Sequence, residues 1–248
     1  MQLSSIVILI AAPFVGSFIG CMADRIPADR ALVWSRSRCD HCGHALGARD
    51  LVPLFSWLLS GARCRYCRAG ISLYYPLVEF AALVVAISAV LVADGALLWV
   101  TIGLGWGLLT LAAMDFRHMI LADSLNLVLV AAGLMVAAIW SRFPLQDHVI
   151  GMLIGAGGLY LVDLIYRAVR KRAGLGMGDV KLMAGAGAWL GWHGLPSVLL
   201  YATGVALIVV FSGTMVRNPT RHTAIPFGAF ICLGIWITWI VGPIDWGA

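Results

Sequence analysis

Charge is scarce in this sequence. Only 12% of its 248 residues are charged, where a soluble domain carries about a quarter. With 61% hydrophobic residues and a mean hydropathy of +0.94, a soluble globular domain is excluded. There is no long internal repeat and no low-complexity tract, which removes the repeat symmetry of many transporters. No glycine-rich dinucleotide-type loop is present. The N-terminus lacks a basic n-region and a small-residue cleavage site before Arg25. Its apolar run is therefore expected to be a retained span and not a removable signal peptide.

What the chain does have is apolar runs near the roughly 20 residues that cross a bilayer. Eight candidate spans are predicted: Leu3–Met22, Tyr74–Ala93, Ala96–Met114, Ser124–Trp140, His148–Tyr166, Val180–Trp192, Leu195–Met215 and Ala224–Val241. The sixth is short and rich in small residues (Ala184, Gly185, Gly187, Gly191). It reads as a site of close helix approach or as a re-entrant span. The expected fold is an all-α polytopic membrane protein.

Lys and Arg fix the orientation. With the N-terminus outside, the cytoplasmic segments are 23–73, 115–123, 167–181 and 216–223. These hold eight, one, five and two basic residues, 16 of the 17 in the chain, and only Arg142 falls outside. Such an asymmetry is the mark of cytoplasmic loops. It also accounts for the sequence pI near 9.1 without a nucleic-acid partner. The predicted organisation is a first transmembrane helix (1–23), a polar cytoplasmic insertion (24–73) and a remaining transmembrane region (74–248).

That insertion carries four of the six cysteines. Cys39-Asp40-His41-Cys42 is followed, 21 residues later, by Cys64-Arg65-Tyr66-Cys67. Two such knuckles read as a four-thiolate tetrahedral zinc site. About 50 residues give too small a core to fold alone, so a metal staple is reasonable. Two redox disulfides are the alternative, one less suited to a cytoplasmic loop. His41 and His44 are expected to be solvated, and Cys21 and Cys232 to be small core residues.

Five of the twelve acids lie in or beside apolar spans on the cytoplasmic side: Glu79, Asp115, Asp123, Asp163 and Asp179. Ionisable groups there are costly and point to function. Asp115 ends the third span and Asp179 opens the sixth, at the same membrane face although 64 residues apart. Two carboxylates brought close share a proton, which suits hydrolysis of a peptide: one takes a proton from water while the other polarises the carbonyl. Plainer roles are open as well. Asp123 and Asp179 could cap helices, and Asp163 could pair with Arg167 one helical turn on. An ion-coupled transporter and a non-catalytic adaptor with a zinc ribbon are the readings from other classes.

The strings of the chain, taken together, resemble those of the type IV prepilin peptidases. The first are Gly16-Ser17-Phe18-Ile19, Arg25-Ile26-Pro27 and Arg36-Ser37-Arg38-Cys39-Asp40-His41-Cys42. Then come Asp50-Leu51-Val52-Pro53-Leu54-Phe55-Ser56-Trp57-Leu58, Arg63-Cys64-Arg65-Tyr66-Cys67 and Ile71-Ser72-Leu73-Tyr74-Tyr75-Pro76-Leu77-Val78-Glu79. Asp115 with Asp123 fits the family's first aspartate motif, and Gly176-Met177-Gly178-Asp179-Val180-Lys181-Leu182 its second. A late family string is matched by Ile225-Pro226-Phe227-Gly228-Ala229-Phe230. Two departures stand out: Ala122 where proline is usual, and Cys21 where asparagine or valine is frequent.

The resemblance implies an aspartyl endopeptidase of the bacterial inner membrane. Such enzymes remove a short basic leader, after a glycine, from type IV prepilins and type II secretion pseudopilins. Many also N-methylate the new N-terminus with S-adenosylmethionine, and the members that do so carry the four-cysteine domain. Carried over, Asp115 and Asp179 are the catalytic pair, and Cys39, Cys42, Cys64 and Cys67 are the zinc ligands. Methylation rests on the resemblance alone, and no residue is assigned to the methyl donor.

Overall fold

The computed structural model describes residues 3–28, 37–141, 144–171, 174–212 and 225–244. Arg36, Arg142, Met215 and Ala224, named above, and Arg30, Arg172, Arg217 and Arg221, included in the basic counts, lie outside that set. Among the described residues the regular elements are all helical: α1 (Leu3–Arg25), a 3-10 turn (Ala48–Leu51), α2 (Phe55–Leu59), α3 (Tyr74–Val92), α4 (Gly95–His118), α5 (Asp123–Trp140), α6 (Leu145–Arg170), α7 (Met177–Phe211) and α8 (Phe227–Val241). Six of them are long and apolar enough to cross a membrane, and α8 is a shorter apolar helix. The protein is a multi-pass, all-α membrane protein.

The chain falls into two compact units, Met1–Ala113 and Met114–Ala248. In the first, α1 packs along α3. Gly16 lets the backbones meet, because a Cβ built there would stand 2.6 Å from the Glu79 Cα. Tyr75 donates its hydroxyl to Asp24 (3.1 Å), and Trp106 of α4 donates its indole N–H to the Ala82 carbonyl (3.2 Å).

In the second unit α7 packs against α5, α6 and α8. The small residues of its first arm do what their size suggests. A Cβ at Gly187 would meet the Gly151 carbonyl carbon at 2.1 Å, so the α6 and α7 backbones touch there. Trp189 donates to the Leu129 carbonyl of α5 (2.8 Å).

α7 is not one rod. Gly191 has φ 67 and ψ 179, a left-handed φ that glycine adopts without strain. The contacts with α8 show the chain turning back there. Gly228, at the start of α8, lies beside Asp179. Gly234 lies against Ala202, and the Ile244 N–H donates to the Ser197 hydroxyl (3.0 Å). Residues 192–211 therefore run antiparallel to 177–190, as the sixth and seventh predicted spans require. The break is stapled from α6. The His148 Nδ1 lies 3.1 Å from the Ala188 carbonyl oxygen, and its Nε2 is 2.7 Å from the Ser141 hydroxyl. The carbonyl can only accept, so Nδ1 carries the hydrogen there.

Candidate active site

Asp115 stands in the last turn of α4 and Asp179 in the first turn of α7. Both are buried, 6% and 8% exposed. The α8 N-terminus brings them together. A Cβ built on Gly228 would stand 3.0 Å from the Asp115 Oδ2 and 3.0 Å from the Asp179 Oδ1. The two oxygens therefore lie within twice that distance of each other. The Ala229 N–H donates to the Asp115 Oδ2 at 2.8 Å, using a first-turn donor that has no partner within the helix. Leu121, from the loop after α4, completes the wall. Its side chain reaches within 3.0 Å of the Cβ positions of both Gly178 and Gly228.

Asp179 keeps a share of the capping role, its carboxylate meeting the backbone of the N-cap residue Gly176, whereas Asp123 is drawn elsewhere. The α7 N-cap is Gly176 and the α5 N-cap is Ala122, residues with no side-chain acceptor of their own. Asp123 instead pairs with Lys181 (2.6 Å). The expected Asp163–Arg167 pair is present at 2.6 Å, with an addition. The other Asp163 oxygen accepts the backbone N–H groups of Gly174 and Leu175, both at 3.1 Å. Asp163 thereby anchors the loop that leads into Asp179. Glu79 belongs to the first unit, where its carboxylate accepts the Leu54 N–H (2.7 Å) and tethers the polar insertion to α3. Of the four among these acids that lie in the second unit, Asp115 and Asp179 are the two that meet, at Gly228.

Sequence reasoning gave Gly228, Ala229 and Leu121 no role. The signal available was the string Ile225-Pro226-Phe227-Gly228-Ala229-Phe230, which matched without a stated purpose.

The four cysteines of the insertion converge independently. Their sulfurs all lie within 4.8 Å of one another, and the Cys39 and Cys67 sulfurs are 3.8 Å apart. The two knuckles are built alike. The Gly43 N–H donates to the Cys39 carbonyl (2.8 Å) and the Arg68 N–H to the Cys64 carbonyl (2.9 Å), and Gly43 and Arg68 both take a left-handed φ, +68 and +62. Antiparallel bridges, Arg38 with Ala45 and Arg63 with Gly70, close each knuckle. His44 stacks on Tyr66 (ring centroids 3.6 Å), and neither it nor His41 joins the cluster. Backbone N–H groups of Cys42 and His41 favour the Cys39 thiolate and bring its pKa down to about 6. At Cys67 the Ala69 N–H acts the same way, but desolvation and the sulfurs of Cys42, Cys64 and Cys39 outweigh it, pushing the thiol up to about 11. Four sulfurs so close favour full ionisation only around a cation, and the cluster can hold a metal ion.

A buried carboxylate pair at helix ends and a cysteine cluster in a polar insertion together define a class: multi-pass membrane proteins with an acid pair and a four-cysteine module able to hold a metal. The family follows from comparison with known proteins. Residues 10–93 match the Bacterial Peptidase A24 N-terminal domain, and residues 102–211 match the Type IV leader peptidase family. The prepilin leader peptidase/N-methyltransferase of Aeromonas salmonicida (strain A449) is 37% identical over 215 residues, covering 85% of this chain and 73% of that protein. Its namesake in Burkholderia pseudomallei (strain 1026b) is 39% identical over 217 residues, covering 86% and 70%. That of Stutzerimonas stutzeri is 31% identical over 265 residues, covering 94% and 89%. No solved structure gives a significant match. The chain belongs to the type IV leader peptidase family.

Proposed function

We propose that this chain is an aspartyl endopeptidase of the bacterial inner membrane. It removes the basic leader from type IV prepilins and pseudopilins at the cytoplasmic face and N-methylates the residue it exposes. The observation that carries the peptidase chemistry is the approach of Asp115 and Asp179 to the same face of Gly228. Like charges at this range repel, so the resting pair holds one proton between its two members. The ionised carboxylate takes a proton from water as it attacks. The protonated one hydrogen-bonds to the scissile carbonyl and then delivers its proton to the leaving amine. Burial strengthens these interactions by excluding bulk water. A transporter would place its acids near the bilayer midplane, whereas these stand at helix ends.

Residues 1–23 anchor the chain, 24–73 form the cytoplasmic insertion and 74–248 carry the peptidase. Zinc is the metal that suits the insertion. Sulfurs around a tetrahedral zinc at about 2.3 Å stand about 3.8 Å apart, as the Cys39 and Cys67 sulfurs do. Cys39, Cys42, Cys64 and Cys67 would hold it as a structural staple. The methyl transfer rests on kinship, with S-adenosylmethionine as the donor substrate. The test is to co-express the enzyme with a prepilin and read the precursor's N-terminal mass. Loss of the leader, plus the mass of one methyl group, supports both activities; an intact precursor refutes the first.

A further inference from the structure

Gly228 occupies a position where glycine has no local reason to be. It is the second residue of α8, and its φ is not among the positive values of the chain's glycines. Alanine is the better helix former at such a place. What opposes alanine is the surroundings. Its Cβ would stand 3.0 Å from an oxygen of each aspartate, closer than the ordinary contact range of 3.4–4 Å, and 2.8 Å from the Leu121 Cδ1. Leu121 could swing its methyl aside. Asp115 cannot move freely, because the next residue of the same helix turn, Ala229, holds its Oδ2 at 2.8 Å.

We propose that Gly228 is a positioning residue of the peptidase site: its bare Cα is the spacer against which both carboxylates rest, and it sets their separation. The proposal builds on the carboxylate-pair reading above. A side chain there drives the two acids apart by a few tenths of an ångström. Displacements approaching 1 Å in catalytic geometry cost about 100-fold in rate.

The experiment measures cleavage of a prepilin by the purified full-length enzyme in detergent, with kcat and KM separated. Gly228→Ala should lower kcat by about 10–100-fold and leave KM within about twofold. Leu121→Ala and the double variant are assayed alongside. If the carboxylates are what the Cβ disturbs, the double variant stays at least about tenfold below Leu121→Ala. If the two are equal, glycine is needed only to make room for Leu121, and the proposal is overturned. Asp115→Asn and Asp179→Asn separate the two readings. Cleavage by either refutes the carboxylate pair. Inactive asparagine variants with a fully active Gly228→Ala refute this inference alone. If Gly228→Ala fails to accumulate, the same change is made in an Asp115→Ala, Asp179→Ala background. Restored accumulation there supports the proposal, since the clash partners are gone, and persistent failure overturns it.

Discussion

Lys181 and Asp123 meet at 2.6 Å, joining the N-terminal ends of α7 and α5 two residues beyond one candidate catalytic acid and eight beyond the other. The side chains are 43% and 74% exposed, and ion pairs this open contribute about 0–1 kcal/mol. Asp123→Asn and Lys181→Gln should each leave thermal stability nearly unchanged and cleavage within about fivefold of the parent, an order set by that small energy. If Asp123→Asn abolishes cleavage in a membrane-inserted protein, Asp123 takes part in the chemistry.

Asp115→Asn and Asp179→Asn should each abolish prepilin cleavage while the protein still inserts and accumulates. Asparagine keeps the volume but cannot exchange a proton, and single acid–base groups are worth about 10²–10⁴-fold. The double variant should be little worse than either single one, because the pair acts as a unit. Glutamate at either place keeps the charge on a longer arm and should also cost about 100-fold. Gel shift and N-terminal mass of the precursor decide it, and near-normal cleavage by either asparagine variant eliminates that residue.

Asp163 should show a graded series. Asp163→Asn keeps an oxygen for the Gly174 and Leu175 N–H groups and loses only the charge on Arg167, so partial cleavage is expected. Asp163→Ala strands both donors, at about 1–3 kcal/mol for each one left unsatisfied. It should lower both the unfolding temperature and cleavage, and equal behaviour of the two variants would contradict the anchoring role.

Serine at any one of Cys39, Cys42, Cys64 or Cys67 should release the metal and loosen the insertion, since a metal site stores folding energy. Elemental analysis should find one zinc per parent chain and little in the variants. Some peptidase activity should survive, because Asp115 and Asp179 are held by α4, α7 and α8. Methylation should suffer more. Metal-free parent protein with its four sulfurs in disulfides would rule the site out.

Single cysteines placed in 37–73 or 174–179 of a cysteine-free variant should resist membrane-impermeant labelling in spheroplasts and react after lysis. Labelling of both segments from outside would reverse the orientation.

The reach of the sequence is clear residue by residue. Apolar runs fixed the helices to within a few positions, and the boundary drawn between Trp192 and Leu195 fell beside the true break at Gly191. The thiolate cluster was legible because C-x-x-C is a local turn that fixes its own sulfurs. The aspartates could be assigned only to one membrane face, since their approach depends on how α4, α7 and α8 pack. Hidden altogether were the contacts in which a side chain meets distant backbone: Glu79 with Leu54, 25 residues apart, Asp163 with Leu175, 12 apart, and Ala229 with Asp115, 114 apart. A backbone N–H has no residue type, so no pattern of letters announces it.

The reversal at Gly191 is also a matter of parity. Each helical arm carries the chain to the other end of the bundle, so an even number of arms returns it to where it began. Because α7 doubles back, Gly228 lies at the end of the bundle where Asp179 stands. Had residues 177–211 formed one straight helix, α8 would begin at the opposite end, about 50 Å away at 1.5 Å per residue. The Ala229 donor would then be beyond reach of Asp115. One glycine dihedral thus decides at which end of the bundle the far part of the chain can complete the site.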